Sequence, residues 1–347
     1  MSAKDRYRFA IVGAGVIAKV HAEAIRLHPE AELAAVCGRT LAKAQRLAEE
    51  YGADAYDDYR EMLKRPDIDI VCVCTPSGKH AEVTVAAAMA GKHVLCEKPL
   101  DIRPESMTEM IEACRKYGVK LGCVFQRRLM PEVEITRRVL REGRLGRLVM
   151  ANAYLKYYRS QEYYDSGAWR GTWELDGGGC LMNQGVHGID LITHLVGDVE
   201  SVFAYTGTLA RNIEVEDTAV IALKFRNGAY GVIQGATSVY PGQETRIELL
   251  GDRGTIEFSD TGFKKWTFMG IEEPLPEVED TLGLATTRSS QQVAVNGHLF
   301  YVGDIIGAVR ENREPFVNGE EARKPVDLVL AIYESARTGR EVRLPGS

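Results

Sequence analysis

The sequence predicts an α/β protein in which a doubly wound parallel sheet is followed by an α+β domain with a large, open, mainly antiparallel sheet. Over the first 124 residues, short apolar runs alternate strictly with helical patterns, which is typical of parallel strands joined by crossover helices. These runs are continuously apolar, as expected for strands covered on both faces. After Phe125, runs rich in Tyr, Val and Thr follow one another with little helix between them, which indicates antiparallel pairing. We therefore expect two domains, residues 1–124 and residues 125–347.

The predicted elements follow the chain in a simple order. The strands of the first domain are RFAIVGAG, ELAAVCG, DIVCVCTP, HVLCEKP and KLGCVF, and helical patterns such as VIAKVHAEAIRLH separate them. The second domain begins with the helical stretch PEVEITRRVLREG, and its strands include RLVMANAYLKYY, DTAVIALKF, GAYGVIQGATSVY and GTIEFS. Turn signals such as RNG and GDRG divide these strands. Two further helical stretches come last, NGHLFYVGDIIGAVREN and EEARKPVDLVLAIYESARTG.

Composition and charge argue against several classes of protein. The chain has 45% hydrophobic and 27% charged residues and a net charge of −6, as in an ordinary globular protein. No basic face is implied, so we expect no nucleic acid partner. No apolar run approaches the ~18 residues that span a bilayer and no secretory signal pattern is present, so we expect a cytoplasmic protein without a membrane partner. The seven cysteines are scattered without metal-ligand spacing, so we expect neither disulfides nor a metal.

The stretch GAGVIA follows the first predicted strand and opens a helix, so it matches the pattern G-x-G-x-x-G/A. Glycine lets the backbone turn tightly and approach a pyrophosphate, whose charge is stabilised by the N-terminus of the helix. The alternative is a tight strand-to-helix turn without a ligand. The repeating strand-helix pattern favours a dinucleotide site, and its predicted contacts are Gly13, Gly15, Val16, Ile17 and Ala18.

The end of the second strand carries Gly38, Arg39 and Thr40, which we also predict to contact the cofactor. A site that prefers NAD usually has a carboxylate here for the ribose 2′-hydroxyl, whereas an arginine accommodates a 2′-phosphate. Gly38 leaves the acidic position empty and Arg39 supplies a planar cation. These residues favour NADP, with NAD possible. The alternative is that Arg39 is only a solvated surface residue.

Polar residues also follow the third, fourth and fifth strands. In an open α/β sheet, ligands bind beyond the carboxyl ends of the strands, so these residues should face the glycine turn. Pro99 restricts its own backbone and that of Lys98, which is placed where the reactive end of a cofactor would lie. The predicted cofactor contacts in this region are Thr75, Pro76, His80, Glu97, Lys98 and Gln126.

A second group of candidate residues lies in the segment GGGCLMNQGVHGIDL of the second domain. Gly177, Gly178 and Gly179 let the chain pass close to another group, and the residues after them look helical. On such a helix Asn183 and His187 are i,i+4, and Asp190 follows His187 at i+3, so all three could share one face. An isolated histidine would more often be structural. With two polar partners and a preceding glycine run, we predict His187, Asn183 and Asp190 to be catalytic.

An aromatic and polar stretch comes just before the glycine run, at Tyr163, Tyr164, Trp169 and Arg170. Aromatic rings with polar groups suit the faces of sugars, and arginine suits a phosphate or carboxylate. The alternative is an ordered loop at a subunit contact. The predicted substrate contacts are Tyr164, Trp169 and Arg170, together with Lys98, Asn183 and His187.

The motifs GAGVIA, TPSGKH, CEKP and GGGCLMNQGVHGIDL together resemble the Gfo/Idh/MocA oxidoreductases, the family of glucose-fructose oxidoreductase and inositol dehydrogenase. The resemblance implies a dinucleotide-binding Rossmann domain, followed by a substrate-binding and oligomerisation domain whose sheets pair in a dimer or tetramer. It also implies NAD(P)-dependent hydride transfer at a secondary alcohol carbon of a sugar, cyclitol or nucleotide-sugar. By motif position, Lys98 and His187 correspond to the catalytic lysine and histidine of the family.

The chain departs from the inositol dehydrogenase pattern at two positions. Asn183 stands where that pattern has aspartate, and Ser77 replaces the asparagine of TPN. Asn183 within LMNQGVH, together with EYYDSGAWRGTWELDGGG, resembles the branch that oxidises UDP-N-acetylglucosaminuronate at C3. Relatives that act on free sugars can share this pattern.

Oxidation of a secondary alcohol removes a hydride from carbon and a proton from oxygen. A lysine ammonium can stabilise the developing alkoxide and a histidine can accept the proton. We therefore expect Lys98 to bind the hydroxyl and His187 to be the general base, oriented by Asp190 or Asn183 and without a metal. Two alternatives remain open: a noncatalytic dinucleotide-binding regulator, and a reductase of a non-sugar substrate of the dihydrodiol or biliverdin type.

Overall fold

The computed structural model of this protein describes residues 6–280, 283 and 295–346. The chain forms two compact units, residues 1–126 with 286–323 and residues 127–285 with 324–347. This division differs from the predicted one, which assigned everything after residue 124 to the second domain. The difference arises because the helix Val295–Glu311 packs against the first helix and the fifth strand of the first unit.

The first unit is built on a six-stranded sheet in which all strand pairs are parallel. Its strands are β1 (Tyr7–Val12), β2 (Ala31–Cys37), β3 (Asp54–Tyr56), β4 (Ile70–Val73), β5 (His93–Cys96) and β6 (Leu121–Cys123). Its first five helices are α1 (Val16–Leu27), α2 (Leu41–Tyr51), α3 (Tyr59–Leu63), α4 (His80–Met89) and α5 (Pro104–Tyr117). The predicted doubly wound parallel sheet is confirmed, and the short strand β3 is an addition to it.

In this sheet, of order β3-β2-β1-β4-β5-β6, the chain adds β2 and β3 on one side of β1 and β4, β5 and β6 on the other, so the strand order reverses between β1 and β4. Such a reversal leaves a crevice at the carboxyl ends of the two strands, because their following connections run to opposite sides. The central strands are largely buried, with Phe9, Ile11, Ile70 and Leu95 at most 1% exposed. The rigid sheet therefore holds the residues that follow β1 and β4 at one edge.

The second unit contains an eight-stranded sheet of order β13-β12-β11-β7-β10-β9-β8-β14. Only the pair β7 and β10 is parallel, so the prediction of a mainly antiparallel sheet is confirmed. The elements up to the last hairpin are α6 (Pro131–Arg141), β7 (Leu148–Lys156), α7 (Gln161–Asp165), α8 (Val186–Val196), β8 (Val199–Gly207), β9 (Thr218–Phe225), β10 (Tyr230–Ala236), β11 (Arg246–Gly251), β12 (Gly254–Ser259) and β13 (Gly262–Phe268).

The chain ends with α9 (Val295–Glu311), α10 (Gly319–Thr338) and β14 (Val342–Arg343). Helix α9 belongs to the first unit, whereas α10 begins in the first unit and ends in the second. Strand β14 pairs with β8 at the edge of the large sheet. Among the residues that the structure describes, no helix has both the length and the apolar character needed to cross a bilayer.

The large sheet has one covered and one accessible face, as its alternating pattern requires. Along β9, Ala219, Ile221, Leu223 and Phe225 are buried, whereas Val220 is half exposed. Helix α8 packs closely on β7 at the covered face, since a Cβ atom on Gly188 would lie 2.1 Å from Cδ2 of Leu155. The sheet thus fixes α8, which carries His187.

Candidate active site

The turn after β1 brings the backbone against the neighbouring strand. Gly13 has a φ of +109°, and a Cβ atom there would lie 2.3 Å from the carbonyl oxygen of Cys74, so only glycine fits without strain. Helix α1 then starts after Gly15, which offers no side-chain cap, and its first turn contains no acidic residue. The first N–H groups of α1 are therefore open to an anion.

Two buried polar atoms at the strand ends suit a bound dinucleotide. Oγ1 of Thr75, after β4, and Oε1 of Gln126, after β6, have no hydrogen-bond partner. Buried polar groups are normally paired, so such orphan atoms mark places where a ligand can supply the partner. Together with the glycine turn and the uncapped α1, they fit the predicted cofactor. Val16 is exposed, Ile17 is half-buried and Ala18 is fully buried at the same helix start.

The tip of β2 has charges of both signs. Gly38 is buried, and a Cβ atom there would lie 3.1 Å from the amide nitrogen of Ala44, whereas Arg39 and Thr40 are exposed. Burial, together with the charges of Asp58 and Asp57, raises the pKa of the nearby Cys37 thiol to about 11. The negative charges of Asp57 and Asp58 would therefore repel a 2′-phosphate, whereas the cation of Arg39 would attract it.

His80 connects two strand ends through their backbones and does not point to solvent. Its Nδ1 lies 2.8 Å from the carbonyl oxygen of Pro99, and its Nε2 lies 3.0 Å from that of Thr75. The side chain is 1% exposed. Both ring nitrogens thus already face protein atoms, and the predicted cofactor contact of His80 stays a prediction. Pro76 remains partly exposed beside it.

Lys98 leaves the buried end of β5 towards the surface. Between Val94 and Ile102 all residues except Lys98 are buried, and Lys98 is partly exposed. The Lys98–Pro99 peptide bond is cis. Glu97 turns the opposite way: its Oε1 lies 2.8 Å from Nε2 of His21 and 2.9 Å from Nε2 of His298. The carboxylate of Glu97 is thus committed to these histidines inside the unit, and the predicted cofactor contact of Glu97 stays a prediction.

In the second unit, the glycine run is held against protein groups. A Cβ atom on Gly179 would lie 1.9 Å from the carbonyl oxygen of Glu216, and one on Gly178 would lie 2.0 Å from Oη of Tyr333. The buried carboxylate of Glu216 accepts hydrogen bonds from the amides of Gly179 and Leu181 and from the hydroxyl of Tyr333. Burial raises the pKa of Glu216. Gly179 and Gly178 therefore approach the backbone of Glu216 and the ring of Tyr333.

The segment after the glycine run begins as a π-helix at Cys180–Gly185 and continues as α8. The sequence predicted one α-helix here. π-Turns often lie at functional sites. Between residues 176 and 192, only the side chains of Asn183, Gln184 and His187 are partly exposed. These are the side chains of this segment that a substrate could reach.

Asp190 has a different partner from the one predicted. Its carboxylate is fully buried and accepts hydrogen bonds from Arg128, at 2.9 Å from Nε and 2.6 Å from Nη2. A carboxylate in the interior requires such a compensating cation. The pair ties α8 to the segment Gln126–Leu129, and the predicted role of Asp190 as the orienting group of His187 stays a prediction.

Asn183 makes a contact that the sequence did not predict. Its Nδ2 donates to Oδ1 of Asp176 at 2.5 Å, and Oδ2 of Asp176 accepts from the amide of Gly171 at 2.9 Å. Asp176 is 1% exposed. Its place directly before the glycine run was the available signal, although a lone aspartate before glycines is common in turns.

The two neighbouring tyrosines of the aromatic stretch lie in different surroundings. Tyr164 is 5% exposed and its hydroxyl lies 2.7 Å from Oγ1 of Thr237, so it belongs to the core. Oη of Tyr163 instead accepts hydrogen bonds from Arg170 and, at 2.9 Å, from Nε2 of Gln184. The Arg170 guanidinium lies over the rings of Tyr163 and Trp169, 4.3 and 4.8 Å from their centres. Tyr163 therefore replaces Tyr164 as a candidate substrate contact.

Comparison with known proteins identifies the family. Residues 7–125 match an oxidoreductase family with an NAD-binding Rossmann fold, and residues 133–257 match the GFO/IDH/MocA C-terminal domain. D-glucoside 3-dehydrogenase of Escherichia coli (strain K12) is 32% identical to this chain, over 97% of each. The chain belongs to the GFO/IDH/MocA oxidoreductases. The predicted family is thereby confirmed, and so is the predicted reaction class of NAD(P)-dependent hydride transfer at a secondary alcohol carbon.

Two further relatives in the GFO/IDH/MocA family extend this comparison. Myo-inositol 2-dehydrogenase of Thermotoga maritima is 28% identical, over 97% of this chain and 98% of its own length. The WlbA dehydrogenase from Bordetella pertussis, solved in complex with NADH and UDP-GlcNAcA, is 37% identical, with a TM-score of 0.90 over 100% of both chains. These proteins act on, or hold, a cyclitol and a nucleotide-sugar.

We predict that Asn183→Asp destabilises the protein and changes its pH profile, although the two side chains are nearly the same size. The new carboxylate would face that of Asp176 at hydrogen-bond distance, so one of the pair would have a raised pKa. Since the protonated form is then favoured in the folded state, stability should fall as pH rises above about 4, by about 3 kcal/mol at neutral pH. Denaturant unfolding between pH 4 and 8 measures this loss.

The same added charge should raise the pKa of His187 if the two side chains are close, because a nearby anion favours the imidazolium. The acidic-side inflection of kcat/KM for oxidation should then move to higher pH. A profile that overlays the wild type, with the stability loss intact, would separate Asn183 from the base. Equal stability at all pH values would contradict the contact with Asp176.

Proposed function

We propose that this oxidoreductase acts on a secondary alcohol of a sugar that carries an anionic group, with a nucleotide-linked uronate of the UDP-GlcNAcA kind as the leading candidate. The relative that holds UDP-GlcNAcA is 37% identical along the whole chain. The observation that carries the proposal is a group of arginines in the second unit, Arg159, Arg170 and Arg211, which we call the arginine cluster. Its chemistry calls for an anion.

The arginine cluster surrounds two tyrosine rings. Arg159 and Arg170 lie 5.5 and 4.3 Å from the centre of the Tyr163 ring, and Arg211 lies 5.2 Å from that of Tyr158. Nε of Arg211 also donates to the backbone oxygen of Arg159 at 2.7 Å, which brings the guanidinium groups into one neighbourhood. Stacking on aromatic rings stabilises such cations and leaves their N–H edges open to an acceptor.

These cations are not neutralised by protein carboxylates. Within the described ranges, none of the three guanidinium groups forms an ion pair. The exposed Glu162 has a lowered pKa, mainly because of its hydrogen bond with Ser160 and to a smaller extent because of the charge of Arg211. Nε of Arg159 is buried and has no hydrogen-bond partner. Several partly buried cations with an open donor are costly unless an anion binds them. A phosphate or carboxylate of the substrate would meet this need.

A chain of hydrogen bonds links the arginine cluster to the candidate catalytic segment. Arg170 and Gln184 both donate to Oη of Tyr163, and Gln184 also donates to Oδ1 of Asn183 at 3.4 Å. Since Tyr163 accepts two bonds, its own O–H can donate to a ligand. An anion bound at the cluster would therefore be held close to the residues that we expect to contact the sugar.

For the chemical step, we infer that Lys98 stabilises the developing alkoxide and that His187 accepts the hydroxyl proton. When bound, the nicotinamide supplies the hydride acceptor. Both side chains are partly exposed at otherwise buried positions, so each can reach a ligand. A cation at the oxygen lowers the barrier because charge develops there in the transition state. Asn183 is then the candidate for holding the sugar, and Asn183 or Asp190 is the candidate for orienting the ring of His187.

The substrate proposal is tested with a panel of inositols, free sugars, sugar phosphates and UDP-sugars, with the absorbance of the reduced nicotinamide as the readout. We expect the highest kcat/KM for a UDP-linked uronate. Arg170→Leu should lower kcat/KM for that substrate roughly 100-fold, mainly through KM, and change turnover of neutral sugars little, because only the anion uses the cation. Arg141→Leu, an exposed arginine on α6, is the matched control.

Turnover of neutral sugars alone, unaffected by Arg170→Leu, would overturn the anionic class. In that case the arginine cluster would be the subunit contact that the sequence left open.

Replacement of Lys98 by Met should reduce kcat by roughly two to three orders of magnitude, because the side chain keeps its volume but loses the ammonium that stabilises the alkoxide. Dinucleotide affinity should stay within about threefold of the wild type. Titration with dinucleotide and steady-state turnover measure the two quantities. Lys116→Met, an exposed lysine on α5, should behave as the wild type. Near wild-type turnover of Lys98→Met would remove this lysine from the mechanism.

The choice of dinucleotide is a separate proposal. Gly38 and Arg39 predict tighter use of NADP, whereas Asp57 and Asp58 lie nearby and the related WlbA structure contains NADH. Arg39→Ala should weaken NADP roughly tenfold and NAD less than twofold, because only NADP carries the 2′-phosphate. Arg46→Ala on α2 is the control. A wild-type kcat/KM that favours NAD by about tenfold or more would mean that the acidic pair dominates at this strand end.

We also propose a homodimer or homotetramer that pairs through the accessible face of the large sheet. Tyr205 and Val220 are cross-strand neighbours there, as are Tyr230 and Met150, and all four are exposed, from 41% to 71%. Contiguous apolar groups on a sheet face favour association.

A reducing compartment such as the cytoplasm suits the seven buried cysteines, whose thiols are shielded by the core.

A further inference from the structure

Three ionisable side chains meet inside the first unit, and we call them the His-Glu-His cluster: His21 of α1, Glu97 after β5 and His298 of α9. Their exposed fractions are 0%, 6% and 1%. Oε1 of Glu97 lies 2.8 Å from Nε2 of His21 and 2.9 Å from Nε2 of His298. The two imidazole rings are nearly perpendicular, with their centres 4.9 Å apart.

The geometry determines where the protons lie. An ionised carboxylate oxygen can only accept, so both Nε2 atoms carry hydrogen. Both Nδ1 atoms are buried and have no hydrogen-bond partner. Burial lowers the pKa of His21. Burial alone would raise the pKa of Glu97, but the hydrogen bonds from His21 and His298 outweigh it and hold that pKa well below its usual range.

The second oxygen of Glu97 points back to the next residue of the chain. Oε2 accepts from the amide N–H of Lys98 at 3.2 Å. The carboxylate is thus fixed on one side by α1 and α9 and holds the Lys98 backbone on the other. His80 holds the following carbonyl, that of Pro99, at 2.8 Å. The backbone from which the Lys98 side chain extends is therefore constrained at both of its ends.

We propose that the His-Glu-His cluster is a positioning device for Lys98. In this role the buried side chains of Glu97, His21 and His298 act without touching the substrate; they couple the lysine backbone to α1, the helix that begins at the glycine turn. The ammonium and the dinucleotide site are then kept in register, because one carboxylate links the elements that carry them. The proposal rests on the role of Lys98 given above. A displacement of about 1 Å at a catalytic group is enough to cost a large factor in rate.

The same three side chains could in principle hold a metal ion, since their ligand atoms lie within 4.8 Å of one another. Zinc would require each ligand atom at about 2.0–2.2 Å from the ion. Both imidazoles instead make direct hydrogen bonds of ordinary length to a single oxygen, and we assign protons to them. A bound metal is thus an outcome of the test, and it would overturn the proposal.

The test replaces His298 in two ways. His298→Leu removes the donor, whereas His298→Gln can restore an N–H close to the Nε2 position. We expect His298→Leu to lower kcat roughly tenfold or more while KM and the dinucleotide Kd change less than about threefold, and His298→Gln to recover most of the rate. His93→Leu is the matched control, since His93 lies at the opposite end of β5 and accepts from the amide of Lys120 at 3.0 Å. It should reduce stability without lowering kcat.

A second readout needs no substrate. Hydrogen exchange of the peptide covering residues 94–102 reports the Lys98 amide, which should exchange faster in His298→Leu and in Glu97→Gln than in the wild type or His93→Leu. Glu97→Gln serves alone if His298→Leu does not fold. If the wild type turns over no sugar of the panel, the function proposal fails, whereas the exchange data still decide the cluster.

Three results would overturn the proposal: wild-type kcat in both cluster variants, unchanged exchange at Lys98, or zinc at about one ion per chain in protein prepared without chelators.

Discussion

A carboxylate in a protein interior is stable only when protein donors replace the water it has lost. This constraint shapes three segments of the chain that carry candidate chemistry. Glu97 fixes the end of β5 through two imidazoles, Glu216 fixes the glycine run through two amides and a tyrosine, and Asp190 fixes α8 through Arg128. Each anion leaves little freedom to the backbone around it. The partly exposed side chains that emerge beside these anions are consequently held by a rigid support.

The two units offer different chemical groups to an anionic ligand. In the first, the sheet edge supplies uncapped amides at α1 and orphan oxygens at Thr75 and Gln126, an arrangement suited to phosphate and ribose. In the second, stacked guanidinium groups supply positive charge without a carboxylate partner within the described ranges. Backbone dipoles suit a cofactor shared by many enzymes, whereas long cationic side chains are easily changed and so can set the choice of substrate.

Local patterns in the sequence predicted those parts of the fold that depend on neighbouring residues. The parallel sheet and the glycine turn follow from periodicity and short motifs. The pairing of Glu97 with His298 joins residues 201 positions apart, which no periodicity reports. The two histidines that contact Glu97, His21 and His298, lie on the apolar helical stretches VHAEAI and GHLFYV, where a core histidine is the ordinary expectation.

The surroundings of individual site residues depend on details that these patterns do not show. Tyr163 and Tyr164 are adjacent, and one step along a helical turn decides which ring faces the core, so composition could not separate them. Asp190 has the spacing of a partner for His187, but Arg128 reaches it from a segment whose position only the tertiary structure defines. The start of α8 as a π-helix likewise depends on the anchoring of Gly179 by Glu216.

The placement of α9 in the first unit also has a consequence for biosynthesis. A ribosome releases the chain from its N-terminus, so β1 to β6 emerge well before residues 295–311. Until then the faces of α1 and β5 that α9 covers remain bare, and Glu97 has only one of its two imidazole donors. The nascent first unit therefore remains incompletely packed while the ribosome synthesises most of the second unit. Such a chain depends on chaperones or on fast completion for longer than one whose domains close in sequence order.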